Sequence, residues 1–381
     1  VTKPCKTALF ELYFQRNPRS GGFAVFSGGD ELRAYLEDKG VAAMVRSVPE
    51  GGAIFPATPV LTVECEPLAF LSIAEDAAQL AGDLCAQATM KARLLLACAN
   101  AASSAAEHQG SGLYYKSVRL TPSALPARLD PVSTRLVDCF DEEKHAFDYI
   151  SQQYPQQCVL PVDSISTLKS GIPNAISVLK NCRQKGILIS SGDIAYQAIH
   201  GRKMLDEAGL EDCKIYAGGA LDEFLISAIR RQGAPVDAFC VDSLPHCNDF
   251  KTRFALSMAG AMPRMTRSQN VTKITPPARK ELWRVFDENG KALADLMTLD
   301  GEKLPLGESY TLFDPHMPWK KTRIERLSAT RILRSCHDET STSLAGVEHL
   351  WDEVLRFENP HKYYVDYSQG LWELCQGMME G

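Results

Sequence analysis

From Cys158 to Val241 the sequence repeats one pattern: a short apolar run, a loop of small residues, then an amphipathic stretch. The apolar runs are Val159–Val162, Ile187–Ile189, Cys213–Tyr216 and Val236–Val241. Between them lie Pro173–Asn181, Ile194–Ala208 and Leu221–Gln232, which read as helices, the last two ending at Gly209 and Gly233. Run starts recur about every 25 residues, the size of one strand-plus-helix unit. Strands separated by whole helices pair in parallel, through right-handed crossovers. The expected fold class is therefore α/β: a (β/α) barrel core with a second, strand-rich α/β layer built by the N-terminal and later segments.

The flanking sequence supplies that layer. Thr7–Phe14, Phe23–Phe26 and Val60–Val63 read as strands, with Asp30–Leu36 helical between them. Ile73, Ala77, Leu80 and Leu84 recur on one helical face, and alanines favour helix through Ala106. Pro122, Pro126 and Pro131 break any long element in the stretch that follows. Leu282–Phe286 and Ala292–Leu299, around Asp287-Glu288-Asn289-Gly290, read as a hairpin. The domain reading is 1–70 strand-rich, 71–262 helical segment and barrel core, 263–310 strand-rich return, and 311–381 helical, with Trp351, Leu355, Trp372 and Leu374 packing.

Composition narrows the function classes. A net charge of −6 over 381 residues argues against a general nucleic-acid binder, which needs clustered cations. The basic run Lys320-Lys321-Thr322-Arg323 reads as a solvated face. No apolar run is long enough to span a membrane, and the chain opens Val1-Thr2-Lys3-Pro4-Cys5 without an apolar leader. The 12 cysteines are scattered singly with no CxxC, so free thiols in an intracellular, reducing compartment are expected, cytoplasmic or an organelle reached by a removed targeting segment. His246-Cys247 with Cys240 is a poor metal set because neighbouring residues rarely converge on one ion, and no metal ligands are assigned.

In a parallel α/β core the loops after the strands form the active face, where amides and helix N-termini favour anions. Four loops are nominated: Asp163-Ser164, Ser190-Ser191-Gly192-Asp193, Ala217-Gly218-Gly219 and Val241-Asp242-Ser243. Their amides and hydroxyls suit phosphate, and their carboxylates suit sugar hydroxyls or a metal. Each also has a structural reading: Ser191 and Asp193 as helix caps, Gly218-Gly219 as a tight turn.

Five collinear stretches carry a family resemblance: FELYFQRNPRSGGFA at Phe10–Ala24, PVDSISTLKSGIPNAISVLK at Pro161–Lys180, SGDIAYQ through RRQGA within Ser191–Ala234, PRMTRSQNVTKITPP and ELWRVFDENGKALADLMTL within Pro263–Leu299, and PHKYYVDYSQGLWELCQ at Pro360–Gln376. They resemble the nicotinate phosphoribosyltransferases. The resemblance implies a type II phosphoribosyltransferase fold, a homodimer or another protein partner, and the joining of nicotinate to 5-phosphoribosyl 1-pyrophosphate in NAD salvage. It also implies Mg²⁺ at the pyrophosphate and ATP coupled through a phosphorylated histidine. On that pattern Asp163 and Asp193 are the expected catalytic residues. Arg119, Ser191 and Gly192 would bind substrate, and Gly218, Gly219 and Ser243 would bind phosphate.

Several motif positions depart from the family pattern. Where LRRAQG is expected the chain reads GLYYKSVRL, leaving Lys116 and Arg119. PVSTRLVDCF lacks the reactive histidine, and His145 lies beyond it. IRIDSGD becomes Ile187-Leu188-Ile189-Ser190-Ser191-Gly192-Asp193, losing an Arg and an Asp, while GVGT becomes Cys240-Val241-Asp242-Ser243. Asp242 would repel a phosphate unless a metal bridged them. The chain therefore reads either as an active phosphoribosyltransferase with an altered site, or as a catalytically degenerate homologue serving as a structural or regulatory subunit. A binding protein for a nucleotide or phospho-sugar is a third reading.

Overall fold

The computed structural model describes residues 5–14, 23–98, 112–115, 118–119, 134–156, 158–241, 250–266, 268, 274–315, 317, 319–335 and 364–380. The chain forms two compact units, one of residues 1–90 with 246–381, the other of residues 91–245.

The 91–245 unit holds the repeat. Its sheet runs Val118–Arg119, Gly112–Tyr115, Ala238–Val241, Lys214–Ala217, Lys185–Ile189, Cys158–Pro161. All neighbours are parallel except the hairpin partner Val118–Arg119. The four expected strands are thus consecutive parallel neighbours, and their apolar runs exist because both faces are covered. Val159, Leu188, Tyr216, Ala238 and Cys240 pack into one cluster. The helices Ile172–Leu179, Ile194–Glu207 and Glu223–Arg231 each bury an apolar stripe, such as Ile172, Ala175, Val178 and Leu179 on the first.

One local feature escaped the pattern reading. Ahead of Ile172–Leu179 lies a π-helical turn, Thr167–Gly171, in which Gly171 N donates to Ser166 O at 2.9 Å. Such wide turns concentrate at functional sites. A Cβ at Gly171 would collide with the Val162 carbonyl oxygen, so only glycine lets this turn approach the end of the first strand.

The other unit contains two large sheets. The first is antiparallel throughout: Met262–Pro263, Thr252–Ala259, Ala8–Phe14, Leu61–Cys65, Ala43–Ser47, Arg334–Ser335. Thr252–Ala259 therefore pairs with Ala8–Phe14, whereas the sequence reading kept residues up to 262 with the barrel core. The unit's helical face is also refined. The helix Ala74–Cys98 buries Ala77, Ala78, Ala81 and Cys85, while Leu80 and Leu84 are only half-buried. Close approach explains the preference for small residues: Thr252 Oγ1 donates to Ala78 O at 2.6 Å, and a Cβ at Gly82 would sit 2.8 Å from Thr252 Oγ1.

The second sheet runs Lys321–Ile324, Tyr310–Phe313, Tyr364–Tyr367, Ala292–Leu299, Lys280–Phe286, Ser328–Arg331. Its two edge strands are joined by residues 325–327 alone, so the sheet must curl until its edges approach. Leu327 completes the curl: its N donates to Glu308 O at 2.8 Å and its O accepts from Gly307 N at 2.9 Å. Val285, Ala294, Leu296, Leu312 and Leu327 fill the core inside. The segment 311–381, expected to be helical, is thus strand-rich where described, with one described helix, Gln369–Glu380, carrying Trp372 and Leu374. Trp351 and Leu355 lie outside the described residues.

Candidate functional site

Three of the four nominated loops are laced together. Asp163 follows the strand Cys158–Pro161, and its Oδ2 accepts from Ser190 N at 2.8 Å, Ser190 Oγ at 3.0 Å and Ser191 Oγ at 2.8 Å. The Ser190 loop is in turn held to the glycines. Gly218 N donates to Ile189 O at 2.8 Å. Gly219 has φ +94°, and a Cβ there would sit 2.7 Å from Ser190 O, so two backbones meet where no side chain fits. Asp163, Ser190, Ser191, Gly218 and Gly219 therefore form one contiguous surface at the carboxyl ends of three adjacent parallel strands, where such folds bind ligands.

Two polar atoms on this surface have no assignment within the protein. Asp163 Oδ1 and Ser164 Oγ are enclosed by protein and lack a hydrogen-bond partner among the described residues, as does Gln197 Oε1 on the following helix. Buried polar atoms are normally satisfied, so each calls for an explanation.

Ser191 and Asp193, both read as possible caps, separate in the structure. Asp193 is the N-cap of Ile194–Glu207, accepting from Tyr196 N at 3.0 Å. Ser191 is not a cap, since its hydroxyl is spent on Asp163. Gly192 sits between them at φ +71°, with Gln197 Nε2 2.7 Å from where a Cβ would lie. Asp222 likewise caps Glu223–Arg231 through Phe224 N at 3.0 Å and Leu225 N at 2.8 Å. Two helix N-termini on this face thus already carry their own carboxylates.

Arg119 ends the hairpin strand Val118–Arg119 opposite Tyr114, and its side chain is outside what is described. Ser243, Asp242 and Lys116 also lie outside the described residues. Among the described residues no three His, Cys, Asp or Glu side chains lie together as metal ligands. The described cysteines are all free thiols, and burial pushes Cys98 and Cys213 up to about 12. No helix among the described residues is long and apolar enough to cross a membrane. Ser190 and Ser164 belonged to nominated loops but not to the expected site. The signal for Ser190 was its place at the altered IRIDSGD position.

Comparison with known proteins accords with this arrangement. The family model for the nicotinate phosphoribosyltransferase C-terminal domain matches residues 279–375, the stretch that includes all six strands of the curled sheet. The chain is 27% identical to nicotinate phosphoribosyltransferase of Bacillus subtilis over 96% of its own length and 89% of that protein's. It is 28% identical to the Dictyostelium discoideum enzyme of that name over 61% of its own length, spanning 46% of the relative. In fold it is similar to human nicotinic acid phosphoribosyltransferase, with a TM-score of 0.75 at 18% identity, covering 98% of this chain and 96% of that one. It is also similar to nicotinate-nucleotide pyrophosphorylase from Pyrococcus furiosus, with a TM-score of 0.65 at 17% identity over 92% and 89% of the two chains. The chain thus shares the fold of these proteins, matches the nicotinate phosphoribosyltransferase C-terminal domain over residues 279–375, and is similar along nearly its whole length to a nicotinate phosphoribosyltransferase.

Proposed function

We propose that this protein joins nicotinate to 5-phosphoribosyl 1-pyrophosphate, giving nicotinate mononucleotide and pyrophosphate, and so feeds NAD salvage. In that reaction the pyridine nitrogen forms a bond to the sugar C1 as the C1–pyrophosphate bond breaks. The protein has to hold the sugar while charge leaves on pyrophosphate. The observation that carries the reading is the laced surface of Asp163, Ser190, Ser191 and the Gly218-Gly219 loop, on a chain aligned to the Bacillus subtilis enzyme over 96% of its length. Asp163 would take a ribose hydroxyl, and the glycine loop would bring backbone amides near a phosphate. Ser191 and Gly192 would shape the sugar pocket, with Arg119 and Ser243 as candidate anion contacts. Asp193 serves first as a helix cap, so its part in catalysis is to fix the loop that carries Ser190 and Ser191.

Mg²⁺ and ATP enter as implications of the family. The described residues fit no resident Mg²⁺, since Asp163 Oδ2 is already taken by three donors. The ion would instead arrive on the donor's pyrophosphate, as Mg²⁺ commonly does. A reducing, intracellular compartment fits the free thiols, and a homodimer enters only as an implication of the family. The replacements fit the fold: Leu188, in place of the family's Arg, is 7% exposed and packed among apolar neighbours, and Ser190, in place of Asp, donates from N and Oγ to Asp163. The test is product detection by mass spectrometry with nicotinate, nicotinamide and quinolinate as acceptors. Nicotinate mononucleotide from nicotinate alone is the expected result, and product from quinolinate with its loss of CO₂ would replace this reading.

A further inference from the structure

The three hydrogen bonds on Asp163 have a consequence for what this surface can bind. A carboxylate with both oxygens open can chelate a cation or swing between partners. Here Oδ2 is saturated by Ser190 N, Ser190 Oγ and Ser191 Oγ, at 2.8, 3.0 and 2.8 Å. The carboxylate plane is thereby fixed, and Oδ1 is left as a single acceptor, enclosed and without a partner among the described residues. Beside it in sequence, Ser164 Oγ is also enclosed and without a partner. An acceptor-only oxygen matches a ligand hydroxyl, which has a hydrogen to donate. It matches a divalent cation poorly, because such ions seek several hard oxygens and Asp163 can offer one.

We propose that Ser190 and Ser191 are positioning residues that convert Asp163 into a one-oxygen acceptor for a sugar hydroxyl, so that this part of the surface binds the sugar directly and without a metal ion. The proposal rests on the phosphoribosyl reading and names how that ligand's sugar is held. It also gives the altered motif a role. An Asp at position 190 would set a second carboxylate against Asp163 and would need a cation between them. Ser190 supplies hydrogen instead of charge, and so removes that need. Fixing the acceptor in advance means no reorganisation when the hydroxyl arrives.

The test is equilibrium binding in EDTA, with ribose 5-phosphate and inorganic phosphate as probes, so that turnover of nicotinate plays no part. Wild type should prefer ribose 5-phosphate, and Mg²⁺ should leave that preference unchanged. Ser190→Ala/Ser191→Ala should weaken ribose 5-phosphate roughly 10-fold or more, the size of one charge-assisted hydrogen bond, with phosphate affinity unchanged. Ser190→Thr/Ser191→Thr keeps both hydroxyls and should restore the preference, and Ser191→Ala alone should give an intermediate loss at an exposed site that does not threaten folding. The proposal is overturned if wild type fails to bind ribose 5-phosphate, if the preference appears only with Mg²⁺, or if the alanine variant keeps it. Sugar binding that obeys these rules in a protein inactive on nicotinate would sink the enzymatic reading and leave this one standing.

Discussion

At the scale of single residues, the most constrained positions are those where backbone meets backbone. Gly171 and Gly219 both abut main-chain oxygens, which cannot rotate away as a side chain can. Gly219→Ala should cost about 1–3 kcal/mol for its left-handed φ and for displacing the Ser190 loop. Gly171→Ala should cost more, since the π-helical turn must open. Urea melts of the two variants check the order; equal stability of wild type and Gly171→Ala would contradict it. Asp366 gives a pH prediction. Desolvation, and secondarily Asp314, push it from 3.8 up to about 6, with Lys320 opposing. Its folded value lies above its unfolded value, so ionisation disfavours the fold. Stability from this group is fully present below about pH 3.8 and is lost as pH rises through about 6. Asp366→Asn should therefore stabilise the protein by about 1–3 kcal/mol at pH 7.5 and by nearly nothing at pH 3.5. A gain that does not depend on pH would refute the assignment. Residue identity alone did not reveal the Asp163–Ser190 link. Its partners are 27 positions apart and meet only because two parallel strands end side by side.

Elements were legible to the degree that burial imposed a pattern. The four parallel strands were read within about two residues of their ends, because strands covered on both faces must be apolar and glycines bound them. The hairpin Lys280–Phe286 with Ala292–Leu299 was visible for a related reason, its turn chemistry. Lys321–Ile324 and Ser328–Arg331 were not, because edge strands with one exposed face and charged residues carry no such signal. The stripe Ile73, Ala77, Leu80, Leu84 had the right period but lies at the edge of the buried face, which shares Ala77 and centres on Ala78, Ala81 and Cys85: close packing selected the smaller residues. Between elements, Lys280 anchors Ala8–Phe14 to its own strand's approach. Its Nζ donates to Pro276, Pro277 and Ala278 oxygens at 2.8, 3.2 and 2.7 Å and pairs with Glu11 Oε2 at 2.8 Å, both side chains fully buried. Tyr13 OH donates to the same carboxylate at 2.6 Å. Lys280→Met should destabilise by about 3–5 kcal/mol, since it strands a buried carboxylate. Adding Glu11→Gln should recover part of that loss in a double-mutant cycle, and a single-variant cost below about 1 kcal/mol would show that the pair is dispensable.

For the whole molecule, two compact units are built on different principles. One is a parallel α/β repeat whose strand ends gather the candidate ligand groups; the other is mainly antiparallel, with Ala292–Leu299 and Tyr364–Tyr367 as a parallel pair, and carries the matched C-terminal domain. The class of the first followed from its period, whereas the curled sheet of the second arises from strand order, which no local pattern encodes. The altered motifs read as losses in the sequence, yet at two positions of one of them the replacements fit the fold, with Leu188 packed and Ser190 bonded to Asp163. The central claim is that this surface still supports phosphoribosyl transfer to nicotinate. The most direct test is steady-state formation of nicotinate mononucleotide by the purified chain, with 5-phosphoribosyl 1-pyrophosphate and Mg²⁺, beside Asp163→Ala. The account predicts product well above the no-enzyme control and a fall of roughly 10- to 100-fold in kcat/KM for the variant, the loss expected for one charge-assisted contact. A well-folded wild type that makes no product would contradict it.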